Sequence, residues 1–141
     1  MKFRNRVYGV SAISCINSNW NADFTGNPKT LSTGQIFGSD KAFKYPIKKL
    51  WENEGKKVMY IRSYKTEKMK SVELIEKYNE LFKNELSDKT DSKEFLKNLF
   101  SAEDILNFGA TFAAKKQNVS ITGAVQVMQG ENVDDNADIQ I

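Results

Sequence analysis

Histidine is absent from this chain, and cysteine occurs once, at Cys15. The first absence removes the usual base of hydrolytic triads and the main ligand of zinc and heme sites; the second excludes an internal disulfide. Long apolar runs are missing too. None approaches the roughly 20 residues that a membrane-crossing helix needs. What is present, 28% charged and 40% hydrophobic residues over 141 positions, is the mixture of one soluble globular domain.

The N-terminus imitates a short lipoprotein signal, since Lys2, Arg4 and Arg6 precede a mildly apolar stretch ending near Cys15. Gly9, Ser11 and Ser14 make that stretch too polar for the role. A buried strand fits better, which places the protein in the cytoplasm with a reduced thiol.

A net charge of +3 conceals an asymmetry. Residues 1–65 hold 12 Lys/Arg against 4 Asp/Glu, a net of +8, whereas residues 66–141 hold 9 against 14, a net of −5. Two readings fit: a polyanion partner for the first half with a basic neighbouring protein for the second, or two ordinary solvated faces.

Residues 4–17 place small and β-branched side chains at odd and even positions alike, the pattern of a central strand covered on both faces. A loop rich in Asn, Gly, Thr and Ser follows over residues 17–38, and a loop this long in a compact domain is functional or mobile. Ser39 or Asp40 then caps a helix to about Asn53, with Gly55 as its stop and Pro46 delaying its regular part to about Tyr45. Alternation over residues 57–65 predicts a second strand, and hence a βαβ crossover with the first. Helices are expected over residues 71–86 and 92–100. Ser101 and Asp104 resemble a capping box opening a further helical stretch to Phe108, ended by Gly109. Residues 118–129 predict a third strand, followed by an acidic tail. Apolar alternation restarts at Asp138–Ile141, so the expectation is the N-terminal part of a longer protein.

Lys29, Lys41, Lys44, Lys48 and Lys49 cluster around the loop and the helix after it. Lys41, Lys44 and Lys48 share one helical face, where ammonium groups could track phosphates or simply face solvent. Asn17, Asn19, Asn21, Ser32 and Thr33 add donors suited to phosphate and sugar oxygens. Trp20 and Phe24 add rings that could stack on bases, with Trp20 equally suited to anchoring the loop. Asp23 and Asp40 are lone acids without a base, and Asp40 is best read as a helix cap. Lone acids make poor catalysts and a metal would want clustered carboxylates, so no catalytic residue or metal is indicated; Gly109 and Gly123 lack phosphate-loop spacing, so no nucleotide cofactor is indicated.

The strand RVYGVSAISC, the loop NWNADFTGNPKT, the stretch FGSDKAFKYPIKKLW, the strand KVMYIRSYK and the pair FGATFA and SITGAVQ, in this order, resemble the Cas-seven-type backbone subunit of a type I CRISPR surveillance complex (Cascade), nearest to subtype I-B. The resemblance covers most of residues 4–130. It implies an α+β fold, an incomplete RRM-like (ferredoxin-like) palm with a finger-like helical insertion. Residues 1–65 would form the first βαβ part with the RNA-contacting loop, residues 66–104 the insertion, and residues 105–141 the return to the palm and the acidic tail. Members are about twice as long, so the remaining palm and thumb would lie beyond Ile141.

By the same resemblance the partners are a CRISPR RNA, target DNA paired with it, further copies of the chain and other Cascade subunits, with no membrane. The subunit would be no enzyme. Asn19, Lys29, Ser39, Lys41, Lys44 and Lys48 match the guide-contacting region, beside Asn17, Trp20 and Asn21 of the loop. Two alternatives stand: a type III-like RNA endonuclease using Asp23, or a generic single-strand RNA binder.

Overall fold

The structure, a computed structural model, describes residues 4–16, 18–65 and 70–134. The chain divides into two compact units, Met1–Phe37 with Glu131–Ile141, and Gly38–Gly130. The elements in order are β1 (Phe37–Gly38), α1 (Asp40–Asn53), α2 (Leu74–Phe82), α3 (Ser92–Leu99), α4 (Glu103–Phe108), β2 (Gly109–Ala114), β3 (Gln117–Thr122) and β4 (Gly130–Glu131). Strand β1 pairs with β4, and β2 with β3, so the fold is mixed α+β with two-stranded sheets.

In the first unit, residues 4–16 are exposed and form neither helix nor strand; Val10 is 99% exposed. The expected central strand therefore does not form among the described residues. Its two-sided apolar pattern needs strand neighbours and cover on both faces, which no described residue supplies.

The loop after it is ordered by its own backbone. Asp23 N–H donates to Asn27 O at 2.8 Å, and Lys29 N–H to Asn21 O at 3.0 Å, closing one hairpin. Leu31 N–H donates to Gln35 O at 2.9 Å, and Phe37 N–H to Lys29 O at 3.2 Å, closing a second. Lys29 thus lies on the leg shared by both turns.

The second unit is built on helix packing. Ser39 is the N-cap of α1, its Oγ accepting from Ala42 N–H at 3.2 Å, and Asp40 is the first helical residue. Pro46 lies inside the helix, which starts at Asp40 without waiting for Tyr45. Its missing N–H leaves the Ala42 carbonyl without the usual helical donor, a cost the cap and the packed face outweigh. Helix α2 is shorter than its apolar period because Lys83 turns left-handed at φ 51°. Asp91 caps α3, accepting from Lys93 and Glu94 N–H, both at 3.1 Å.

Met59, Tyr78, Leu86, Phe95, Leu99, Ala102, Ile105 and Phe112 form one buried cluster. Its centre is aromatic: Phe95 and Phe112 meet edge to face at 5.0 Å, with Tyr78 at 5.4 Å from Phe95.

The second expected strand is also absent as a strand, and the reason is chemical. The N–H groups of Met59 and Tyr60 donate to the buried Asp104 carboxylate at 2.9 and 2.6 Å, so a side chain takes the place of a strand partner. Asp104 is consequently not the partner of Ser101, whose hydroxyl donates to Asn98 O at 2.7 Å; the α4 N-cap is Ala102. With neither strand in a ladder, the described residues contain no βαβ crossover.

The third strand ends at Thr122, earlier than its alternation suggested, and pairs antiparallel with β2, which the sequence reading did not anticipate. The turn between them is Lys115–Lys116, both at positive φ (50° and 61°). The exit of β3 folds back onto α4, Val125 N–H donating to Asn107 O at 2.7 Å. Gly109 and Gly123 permit this approach: a Cβ on Gly109 would strike the Ile121 carbonyl, and one on Gly123 the Asn107 carbonyl.

Candidate nucleic-acid interface

The residues singled out in the sequence fall into two groups, one in each unit. Asn17 lies outside the described residues.

In the loop, Asn21 is buried and structural. Its Nδ2 donates to Phe37 O at 2.6 Å while its backbone carbonyl receives Lys29 N–H, so this one residue ties the first leg of the loop to the other two. Asn19 is exposed and donates through Nδ2 to Gly26 O at 2.7 Å. Trp20 is 39% exposed, and Phe24 fully so. Lys29 projects from the shared leg with an exposed side chain and no ion pair among the described residues. A cation, an indole and an amide are thus displayed on a backbone fixed by hydrogen bonds, an arrangement able to meet phosphates and ribose hydroxyls.

Asp23 braces the tip of this loop. Its Oδ1 accepts from Thr25 N–H at 2.8 Å, Thr25 Oγ1 at 2.7 Å and Asn27 N–H at 3.0 Å. The Thr25 hydroxyl, foremost, with the backbone N–H groups, holds the carboxyl below its ordinary 3.8. This carboxylate organises a turn.

On α1 the three spaced lysines have different fates. Lys41 is exposed and unpaired among the described residues. Lys44 reaches Asp40 at 2.9 Å and stands over the Phe108 ring at 5.1 Å. Lys48 turns inward, donating to Tyr60 O at 3.0 Å with its ammonium 3.7 Å from Asp104, and only 16% of its side chain is exposed. Burial lowers its pKa from 10.5, and the Asp104 charge opposes that shift. The ammonium of Lys49 pairs with Glu52 at 2.6 Å. Helical spacing placed Lys41, Lys44 and Lys48 on one face; the acids that divide them sit at Asp40, one turn away, and at Asp104, far along the chain. Sequence reasoning missed Asp104, because no local spacing marks a carboxylate that binds backbone 44 and 45 positions earlier.

Among the described residues no three His, Cys, Asp or Glu side chains gather as metal ligands, and no helix is long and apolar enough to cross a membrane. No curated protein and no solved structure matches the chain. The family model for CRISPR-associated protein Cas7 does match, over residues 5–141. That span takes in the braced loop, α1 and the β2–β3 hairpin, and is nearly the entire sequence. The chain belongs to the CRISPR-associated protein Cas7 family.

Proposed function

We propose that this protein is a guide-binding backbone subunit of a type I Cascade complex, nearest to subtype I-B, which holds a CRISPR RNA in the cytoplasm for pairing with target DNA. Membership of the Cas7 family supports the coarser part, a CRISPR-associated RNA-binding backbone subunit. The finer part rests on the loop: an ordered backbone presents Asn19, Trp20 and Lys29 outward while Asp23 is occupied as a brace.

Asn19, Trp20, Lys29 and Lys41 contact the guide in this reading, with Asn17 joining them by its place in the asparagine run. Asn21, Ser39, Lys44 and Lys48 fix the backbone and helix that carry those groups. Cations and amides grip phosphates and 2′-hydroxyls, no base edge is read, and pairing supplies the sequence information. Such a clamp performs no proton transfer, so the subunit acts without catalysis. Copies assembled along one RNA, beside other Cascade subunits, turn a modest single grip into a strong one through effective concentration.

The test is binding of a labelled single-stranded CRISPR RNA across a salt series. Each lost phosphate contact flattens the slope of log K against log salt by about 0.7. Lys29→Glu combined with Lys41→Glu should weaken binding at least tenfold and flatten the slope by about 1.4. Unchanged affinity and slope would remove these cations from the interface, and cleavage of a guide-paired RNA in magnesium, abolished by Asp23→Ala, would establish the nuclease instead.

A further inference from the structure

Residues 1–65 hold four acids among 12 Lys/Arg, and three of the four have an evident task. Asp23 braces the loop turn, whereas Glu52 and Glu54 pair with Lys49 at 2.6 Å and Lys56 at 3.3 Å near the C-terminal end of α1. Asp40 is the exception. The helix it opens is already capped by Ser39, whose Oγ accepts the Ala42 N–H, so the cap does not need the Asp40 carboxylate. What remains for it locally is the helix dipole, which an acid in the first turn complements modestly.

The carboxylate instead engages Lys44, whose ammonium donates to Oδ2 at 2.9 Å; the lysine side chain is 18% exposed and the aspartate 45%. The Lys44 hydrogen bond foremost, with the Lys41 N–H and charge among the lesser causes, holds the carboxyl below its ordinary 3.8. The acid therefore lies in the field of both lysines. Lys44 has a second anchor that does not involve Asp40, because its ammonium also stands over the Phe108 ring at 5.1 Å. A carboxylate thus neutralises a cation that the fold already fixes, on the same helix whose Lys41 is exposed. On a surface that meets a polyanion this arrangement opposes binding. Asp40 repels the phosphates that Lys41 attracts and keeps the Lys44 charge occupied.

We infer that Asp40 is a specificity-determining residue of the guide-binding surface: its carboxylate withholds the Lys44 ammonium from RNA, so that one copy alone grips a strand weakly and retention depends on several copies sharing that strand. The inference rests on the guide-binding reading of α1 given above. Its consequence is selectivity. Short stray strands, which engage one copy, dissociate, while a guide spanned by many copies is kept through effective concentration. A purely helix-stabilising Asp40 predicts otherwise: neutralising it would lower stability and leave RNA binding as it was.

The experiment is a double-mutant cycle on the full chain, made of Asp40→Asn, Lys44→Gln and the two together. Binding of a short fluorescent oligo-uridine is measured across a salt series, with thermal unfolding alongside. Asp40→Asn should bind about three- to tenfold tighter, with a salt slope steeper by about 0.7 as Lys44 gains a phosphate. Its unfolding midpoint should be equal or slightly lower, so the gain does not come from a firmer fold. Lys44→Gln should weaken binding at least threefold more in the Asp40→Asn background than in the native one. Equal losses in the two backgrounds would show that net charge alone matters, and would overturn the inference. Asp40→Asn binding no tighter than the native chain would overturn it as well. Lys29→Glu with Lys41→Glu separates this inference from the reading beneath it. Where that pair weakens binding and Asp40→Asn does not tighten it, the guide reading stands and the Asp40 role falls; where that pair changes nothing, both fall.

Discussion

Lys48 on α1 and Asp104 on α4 face each other across 3.7 Å in the interior of the second unit. The lysine also donates to Tyr60 O, and the aspartate accepts from Met59 and Tyr60 N–H, so the pair encloses one short stretch of backbone. A buried pair is weak evidence of net stability, but breaking one side strands the other.

Asp104→Ala should therefore cost about 3–5 kcal/mol, since it leaves a half-buried ammonium and two backbone N–H groups without an acceptor. Asp104→Asn, which keeps a carbonyl oxygen, should cost less. Lys48→Met should be mildest, about 1 kcal/mol, because Asp104 retains its two N–H donors. Urea unfolding of the three variants checks this order, and Asp104→Ala no worse than Lys48→Met would refute it.

The same enclosure governs alkaline behaviour. Burial, with the Asp104 charge beside it, pushes the Tyr60 phenol up from 10.0 to about 12. Between those values the unfolded chain loses this proton and the folded chain keeps it, so the contribution is complete below pH 10 and is lost as pH rises toward about 12. Lys48 acts oppositely. Its lowered value makes the folded state shed a proton before the unfolded one, so its contribution improves as pH rises toward 10.5. Phenolate absorbance should show a late step near pH 12 that Tyr60→Phe deletes.

Asp23→Ala removes the acceptor of three loop donors without touching a cation. If the loop works by presenting fixed groups, guide affinity should fall about three- to tenfold, as ordering would then oppose binding, and the salt slope should hold. Asp23→Asn should be intermediate. Full affinity in Asp23→Ala would show that the brace is dispensable.

Gly123→Ala sets a methyl group against the Asn107 carbonyl and the Gly109 backbone. The hairpin and α4 must separate to admit it, at about 2–3 kcal/mol. Gly109→Ala adds a left-handed φ of 77° and should cost at least as much. A thermal midpoint lowered by several degrees or more is expected for both, with secondary structure retained below it.

How far these features could be read beforehand depended on how local their causes are. Helix α1 follows from Ser39 and Gly55, and α3 from Asp91 with Phe95 and Leu99 one turn apart, all short-range signals. The helix at residues 71–86 was readable in type but too long, because nothing in Phe82-Lys83-Asn84 announces a left-handed Lys83. Strand β2 was invisible since its turn is Lys-Lys where Asn-Gly would have marked a hairpin. Residues 57–65 alternate as a strand does, yet the Met59 and Tyr60 N–H groups find Asp104, a tertiary partner that periodicity does not encode, and only Ser63–Lys65 pair locally, with residues 70–72. In the candidate interface the residue types were legible and their exposure was not: Lys41, Lys44 and Lys48 have equivalent spacing, and what sets them apart is Asp40 one turn from Lys44 and Asp104, far along the chain, beside Lys48.

Asn21, buried among the loop's three legs, bears on how strongly a guide can be held. Immobilising a free stretch of about twenty residues at the moment of contact would subtract heavily from affinity. Here that immobilisation precedes any encounter, so if this loop grips the guide as proposed, RNA meets a template already set and dissociation is resisted by contacts that surrender little of their strength to conformational freedom.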